Sequence, residues 1–327
     1  MKVVILHGEI LSSASPDEQD VLVEVKAVSS ALEELGYEPV SVSVGSDINQ
    51  AINHLQEEQP IVVFNLVESL NGQGRFIHLI PLHLDYLNIP YTGAKTDALY
   101  LTSNKILAKR TFSFFNIPTP DWITYKEVIN KKDQINFSSP YLFKSIWEHA
   151  SIGLDDNSLI ADYNKLTERL KQLDLKNSEE LFLEQYIEGR EFNITLLSDV
   201  KGIEVMPAAE IRFNNYTSRP KILGYKAKWD KNSVEYQNTQ RCFDFSKDDL
   251  QLIEQLRQIS LRCWDCFELS GYARVDFRVD NLGRPWVLEI NVNPCISPDS
   301  GFVAAAQRGG IGYKQLVERL ILPRGKK

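Results

Sequence analysis

The sequence predicts a mixed fold, α/β at the N-terminus and α+β beyond it, and three observations carry that reading. The first third alternates strand and helix signals, the pattern of a parallel α/β unit. The middle portion offers only short β signals around one helix, as in a small α+β lobe. From Arg190 onward, strand-like runs dominate. At 327 residues, 43% hydrophobic and 24% charged, the chain is long enough for two or three domains with substantial cores.

Val3 to Leu6 predicts the first strand, and a helix follows from about Asp17 to Leu35, where Gly36 stops it. Pro39 to Val44 predicts a second strand, another helix comes next, and Ile61 to Asn65 a third strand. Parallel sheets bind ligands beyond the carboxyl ends of their strands, which places His7-Gly8 and Asn65-Leu66-Val67-Glu68 where a ligand would sit. Pro and Gly punctuation at Asn88-Ile89-Pro90-Tyr91-Thr92-Gly93 separates this unit from a helix at Ser103 to Phe115, with a boundary near residue 98. Domains are therefore expected at 1–98, 99–189 and 190–327. In the second, strands at Tyr141 to Ile146 and Leu181 to Ile187 flank a helix from about Tyr163 to Leu173. The third has strands at Phe192 to Leu197, Ile203 to Phe213, Tyr272 to Val279 and Pro285 to Val292, a helix from Leu250 to Leu269, and closing helices after Ser300 and Gly312.

A net charge of −8 argues against a phosphate-backbone binder, which needs clustered Lys and Arg. No apolar run approaches the roughly 18 residues that span a bilayer, and Met1 leads straight into a strand-like stretch. A cytoplasmic protein with neither nucleic-acid nor membrane partners is expected. Cys242, Cys263, Cys266 and Cys295 do not make a disulfide framework in a chain this long. Cys263 and Cys266 fall inside the helical pattern with no second ligand pair nearby, which reads as packing.

The most informative stretch runs from Tyr272 to Pro294 and reads as a hairpin turning at Asp280 to Gly283. Alternation puts Arg274, Asp276 and Arg278 on one face and Val275, Phe277 and Val279 on the other. On the return strand, Glu289 and Asn291 alternate with apolar Leu288 and Ile290. A loop at Asn281 to Arg284 sets Asp276 opposite Glu289 and Arg274 opposite Asn291. Opposed carboxylates want a cation between them, and an oxygen-only set suits a hard ion such as Mg²⁺. A merely wet hairpin would show the same alternation, but here the company is telling. Arg274 adds positive charge where an oxyanion would develop, and after Asn293-Pro294 a polar loop follows with Ser297, Asp299, Ser300 and Gly301.

At these residues the chain resembles the D-alanine:D-alanine ligase branch of the ATP-grasp superfamily, and the likeness extends over nearly all of it. Arg274-Val-Asp276 and Leu288-Glu-Ile-Asn291 are similar to that family's metal signature. The resemblance implies that Asp276, Glu289 and Asn291 hold two Mg²⁺ ions, Mn²⁺ being the alternative, and that Arg274 stabilises the tetrahedral intermediate. Ile89-Pro-Tyr-Thr-Gly93 and Ser103-Asn-Lys105 match family segments in which the lysine contacts ATP phosphate, a role that falls to Lys105. Lys144, ahead of Glu148-His-Ala-Ser-Ile-Gly153, resembles a phosphate lysine before a closing loop, with Ser151 near the substrates. Leu183 to Phe192 is similar to the adenine strand and hinge: Glu184 for the adenine amine, Ile187 for the ring edge through its backbone, Glu191 for the ribose. Lys228 matches a further phosphate lysine, and Ser300 a serine suited to the acceptor's carboxylate.

Departures gather at the substrates. Where the family has a glutamate for the first ammonium group, this chain has His7-Gly-Glu9 and a longer loop, leaving Asp17, Asp20 and Glu24 as weak candidates. Phe64-Asn-Leu-Val-Glu68 and Asn71-Gly-Gln-Gly74 replace another substrate motif. Trp229 stands where a tyrosine helps bind the second substrate, and Cys295 where a glycine donates its amide to the oxyanion hole. The resemblance implies an ADP-forming ligase that joins amino-acid or peptide substrates through an acyl phosphate, with small molecules as partners and a homodimer allowed for. Rival readings are an authentic D-alanine:D-alanine ligase and a non-catalytic ATP-binding scaffold. An isolated Rossmann dehydrogenase is a weaker rival still, because no G-x-G-x-x-G follows the first strand.

Overall fold

A computed structural model describes residues 1–10, 14–130, 135–147, 158–172, 180–199, 201–216 and 219–322. The N-terminal portion is a parallel three-stranded sheet, β1 (Lys2–Gly8), β2 (Glu38–Val44) and β3 (Val62–Leu66), in the order β2-β1-β3. β1 reads Lys-Val-Val-Ile-Leu-His-Gly and is buried along its middle, as the central strand of a covered parallel sheet must be. α1 (Pro16–Glu34) and α2 (Ile48–Glu58) connect the strands. Pro16 opens α1, where its missing N–H is not needed, and Ser15 with Glu18 forms a capping box.

After α3 (Leu79–Tyr86), the helix expected from Ser103 is in fact two, α4 (Thr96–Ser103) and α5 (Lys105–Phe114). Asp97 in the first turn of α4 favours the earlier start, and Asn104 caps α5 by accepting from the amides of Ile106 and Leu107. Residue 98 therefore lies within a helix.

The middle portion contains β4 (Trp122–Thr124), α6 (Tyr125–Asn130), β5 (Tyr141–Ser145), β6 (Leu159–Ile160), α7 (Tyr163–Gln172) and β7 (Leu181–Gln185). Its four strands pair antiparallel in the order β4-β7-β5-β6.

The third sheet runs β11-β10-β8-β12-β13, with β9 alongside β8. Its elements in chain order are β8 (Gly189–Asp199), β9 (Gly202–Val205), β10 (Ala209–Phe213), α8 (Tyr225–Trp229), α9 (Val234–Gln237), β11 (Thr239–Cys242), α10 (Leu250–Cys266), β12 (Tyr272–Asp280), β13 (Pro285–Asn291), α11 (Gly301–Arg308) and α12 (Tyr313–Ile321). The run expected as one strand at Ile203 to Phe213 is β9 and β10, broken at Met206-Pro207-Ala208, because Pro207 has no N–H for a ladder. Cys263 is buried in the core beneath this sheet, beside Leu256 and Phe267.

A second core joins the N-terminal sheet to the C-terminal helices: Val3, Ile5 and Phe64 pack with Tyr272, Phe302, Val303 and Leu316. It presses α1 against the segment following β13. No helix among the described residues is long and apolar enough to cross a membrane.

Candidate active site

Directly paired strand residues share a face of a sheet. In the large sheet, Arg241 pairs with Ile211, Ile211 with Glu191, and Glu191 with Arg278. Asn193 pairs with Asp276 and Asp276 with Glu289, while Arg274 pairs with Asn291. One face therefore carries Arg241, Glu191, Asn193, Arg274, Asp276, Arg278, Glu289 and Asn291. Against it lies an open cavity, about 860 Å³ of empty space with its solvent-filled mouth included. Of the residues singled out in the sequence, Lys105, Lys144, Lys228, Glu184, Glu191, Ile187, Asp276 and Glu289 line it, and Leu142, Ile222, Leu223 and Leu288 add apolar wall.

At the hairpin, the expected pairs Asp276 with Glu289 and Arg274 with Asn291 are present. Nearer the turn the register differs from expectation: Phe277 faces Val287 and Val279 faces Pro285. Leu288 is the extra residue of a β-bulge, which turns its side chain the same way as Glu289. Leu288 thus joins the cavity wall, and the buried residues of β13 are Val287 and Ile290. Asp276 accepts from Arg274 Nε and Nη2 at 2.7 Å each and from Asn193 Nδ2 at 2.7 Å. Lys105 Nζ is 3.6 Å from Glu289. Asn291 Oδ1 accepts from the amide of Asn293 and so fixes the strand's exit.

At the other end, Glu184 is 1% exposed and lies between two ammonium groups, Lys109 Nζ and Lys144 Nζ, each 2.5 Å from one carboxylate oxygen. Burial pushes its carboxyl up, but the two lysines outweigh this and hold it below the usual range. Glu184, expected to meet only an adenine amine, is therefore also the anchor of Lys144. Sequence reasoning missed Lys109, although Lys105, Lys109 and Phe112 form a buried stripe on α5 at helical spacing. Arg278, noted only as a neighbour of Asp276, is a buried hub: it donates to the carbonyls of Ile187, Gly189 and Lys221 and pairs with Glu191 at 3.3 Å. The Ile187 carbonyl is thus already engaged. Burial raises the Glu191 carboxyl, Arg278 opposing, while burial and Arg274 lower the Lys228 ammonium.

The substrate-end residues separate. His7 is buried at the end of β1, with Nδ1 donating to the Gly8 carbonyl at 2.7 Å and Nε2 accepting from Ser41 Oγ at 3.0 Å. Both ring nitrogens are spent inside the fold. Trp229 ends α8 with its indole N–H buried and without a partner among the described residues. Ser300 caps α11 by accepting from the Val303 amide. Ser151, with the whole stretch from Glu148 to Gly153, lies outside the described residues, as does the side chain of Asp17.

One cluster was not legible in the sequence because its members are some 270 residues apart. Asp20 and Glu24, one turn apart on α1, converge with Cys295, their ligand atoms all within 4.8 Å of one another. Asp20 accepts from Cys295 Sγ at 3.1 Å and Ser297 Oγ at 2.8 Å, and Glu24 from the Ile296 amide at 3.2 Å. Burial and the nearby Glu68 raise Glu24 well above its ordinary value, and burial with Glu24, Glu68 and Asp20 pushes the Cys295 thiol up. A thiol so placed stays protonated and is no nucleophile.

Comparison with known proteins agrees with this geometry. The family model described as D-ala D-ala ligase C-terminus matches residues 107–322. A D-alanine-D-alanine ligase of Aquifex aeolicus is 30% identical over 324 residues, 98% of this chain and 100% of the relative. An uncharacterized protein of Sinorhizobium fredii is 29% identical over 300 residues, 90% of this chain and 85% of its own. Among solved structures, the Bacillus anthracis D-alanine-D-alanine ligase complexed with ATP superposes with a TM-score of 0.75 at 22% identity, covering 98% of this chain and 96% of that one. The chain therefore belongs to the D-alanine-D-alanine ligase family of ATP-dependent ligases, on the ATP-grasp fold.

Proposed function

We propose that the chain joins the carboxylate of one amino acid or peptide to the amine of another, through an acyl phosphate, with release of ADP and phosphate. The observation that carries this reading is the single cavity where Lys105, Lys144 and Lys228 meet the opposed carboxylates of Asp276 and Glu289.

The residues present fit the nucleotide and metal that the family implies. The cavity has an apolar wall for a base and a cationic end for phosphates. Asp276, Glu289 and Asn291 offer oxygen donors alone, which suits Mg²⁺ or Mn²⁺. When bound, the metal withdraws charge from the phosphates. Lys105, Lys144 and Lys228 neutralise the remaining phosphate charge. Glu184 keeps Lys144 in place and retains acceptor lone pairs for the adenine amine, since an ionised carboxylate has about four. Glu191, fixed by Arg278, is available to the ribose. Arg274 faces the developing oxyanion, and the acids Asp20, Glu24 and Glu68 offer counter-charge to the first substrate's ammonium group, whose arrival favours the ionised form of Glu24.

A screen of ATP-dependent phosphate release over D- and L-amino-acid pairs and dipeptides, with products weighed by mass spectrometry, tests the reading. Amine-dependent ADP formation is expected; silence with every pair would leave only a nucleotide-binding scaffold. D-alanine-D-alanine ligation is the second reading, favoured by what the relatives are named, and a D-Ala-D-Ala product would decide for it. The cluster of Asp20 and Glu24 beside Cys295, together with Trp229, favours other substrates.

A further inference from the structure

The polar face of the large sheet holds positive charge that its own acids do not use. Asp276 is paired with Arg274, Glu191 with Arg278, and Glu184 with Lys109 and Lys144, while Lys105 approaches Glu289. Lys228 and Arg241 have no carboxylate within ion-pair distance among the described residues. Lys228 lines the cavity of the proposed nucleotide site, where phosphates answer its charge. Arg241 lies outside that lining, on the same face by strand register but at its far edge on β11.

Arg241 is built into its place. Its guanidinium packs flat against Gly301, where a Cβ would lie 3.3 Å from Nη2, 3.5 Å from Nε and 3.6 Å from Cζ. Its Nε–H is buried and has no hydrogen-bond partner among the described residues. A buried donor left unmade is costly, more so on a charged group. Burial and the Arg274 guanidinium depress its pKa, with only exposed Asp299 and Tyr236 pulling the other way. Two guanidinium groups of like charge, one with an idle buried donor, make a receptor for an anion. Arg274 stands at the reacting centre and Ser300 precedes the Gly301 on which Arg241 rests, so the anion belongs to the amine substrate. In the reading above Ser300 serves that substrate's α-carboxylate and Arg274 the oxyanion, which leaves Arg241 for a further acidic group.

We propose that Arg241 is a specificity residue for the amine substrate, binding an acidic group carried in addition to its α-carboxylate, so that an acidic amino acid or peptide is preferred over a neutral one. This rests on the ligase reading above and extends it by naming the acceptor class.

The test is ADP release with Mg²⁺ and ATP at a fixed carboxylate donor, comparing alanine, aspartate and glutamate of both chiralities as acceptors. The wild-type protein is expected to show a KM for one acidic acceptor about tenfold below that for alanine, the size of effect a charge-assisted pair provides. Arg241→Gln should raise the acidic acceptor's KM at least about tenfold more than alanine's, mostly without loss of kcat, and Arg241→Lys should keep part of the preference. Thermal unfolding checks that both variants fold; if Arg241→Gln does not, the Lys variant carries the comparison. A wild-type protein indifferent to acidic acceptors, or an equal rise in KM for all acceptors, overturns the inference and leaves the ligase reading standing. Silence with every amine overturns both.

Discussion

Arg274 grips Asp276 through two parallel hydrogen bonds of 2.7 Å from two positions along the same strand, and Asn193 on the neighbouring strand completes the hold. The carboxylate is fixed before any ligand arrives, and the arginine is fixed with it. Both are thereby preorganised for their work, so that charge at one is felt at the other.

Asp276→Asn keeps the shape and removes the charge. Amine-dependent ADP release is expected to fall by at least about 100-fold, as for loss of a metal-binding carboxylate, and the melting temperature should fall too, because buried Arg274 loses its charged partner. Chelation by EDTA should silence the wild-type protein, and added Mg²⁺ should restore it. Near-normal turnover of the variant, measured by coupled ADP assay, would show that Asp276 holds no metal.

Glu184→Gln strands two buried ammonium groups on a neutral amide. Breaking a buried ion pair by removing one partner costs about 3–5 kcal/mol. Urea unfolding should show a loss of that order, whereas Lys109→Met, which leaves Glu184 with Lys144, should cost less. An unchanged midpoint for Glu184→Gln would mean that the lysines do not depend on it.

Glu24 sets a pH dependence whose sign follows from its raised pKa. The folded chain holds this proton more tightly than the unfolded chain. The resulting stabilisation is complete below the ordinary glutamate value of about 4.3 and is lost as pH rises through the raised folded value. Thermal unfolding across that window should show stability falling with pH, and Glu24→Gln should flatten the curve. Parallel profiles for the two proteins would refute the assignment.

Gly189 opens β8 with φ +145°, and a Cβ there would sit 2.0 Å from the Val279 carbonyl oxygen. Gly189→Ala must displace the backbone that Arg278 ties to Ile187. A loss of about 2–4 kcal/mol is expected from strain and overpacking together, with a raised KM for ATP. Wild-type values for both, by calorimetry and steady-state kinetics, would show that the hinge is free to move.

Much of the site was legible because strand alternation is strict. Asp276 and Glu289 were set face to face with the turn counted one residue off, and the bulge at Leu288 makes up the difference. Leu288 was misread because a bulge shifts the phase without any residue such as Gly or Pro to announce it. Lys109 was readable in principle, as a lysine on the buried stripe of a helix. Asn193 and Arg241 were not, since their place on the face depends on which strands neighbour which, and that is decided by packing between segments far apart in the chain. The acid cluster at Asp20, Glu24 and Cys295 is illegible for the same reason: α1 meets the segment after β13 only because Phe302 and Leu316 pack with Val3 and Phe64.

The bulge at Leu288 lies between the hairpin's turn and its opposed acids. Beyond it, the turn from Asp280 to Arg284 is held by its own bonds, Asp280 capping the amides of Leu282 and Arg284. Between the bulge and the cavity, Asp276 is secured by β8 on its other side. Exposed Leu282, at the tip of a turn held by its own bonds, is therefore an attachment point for a peptide tag or fluorophore on the same hairpin as Asp276 and Glu289.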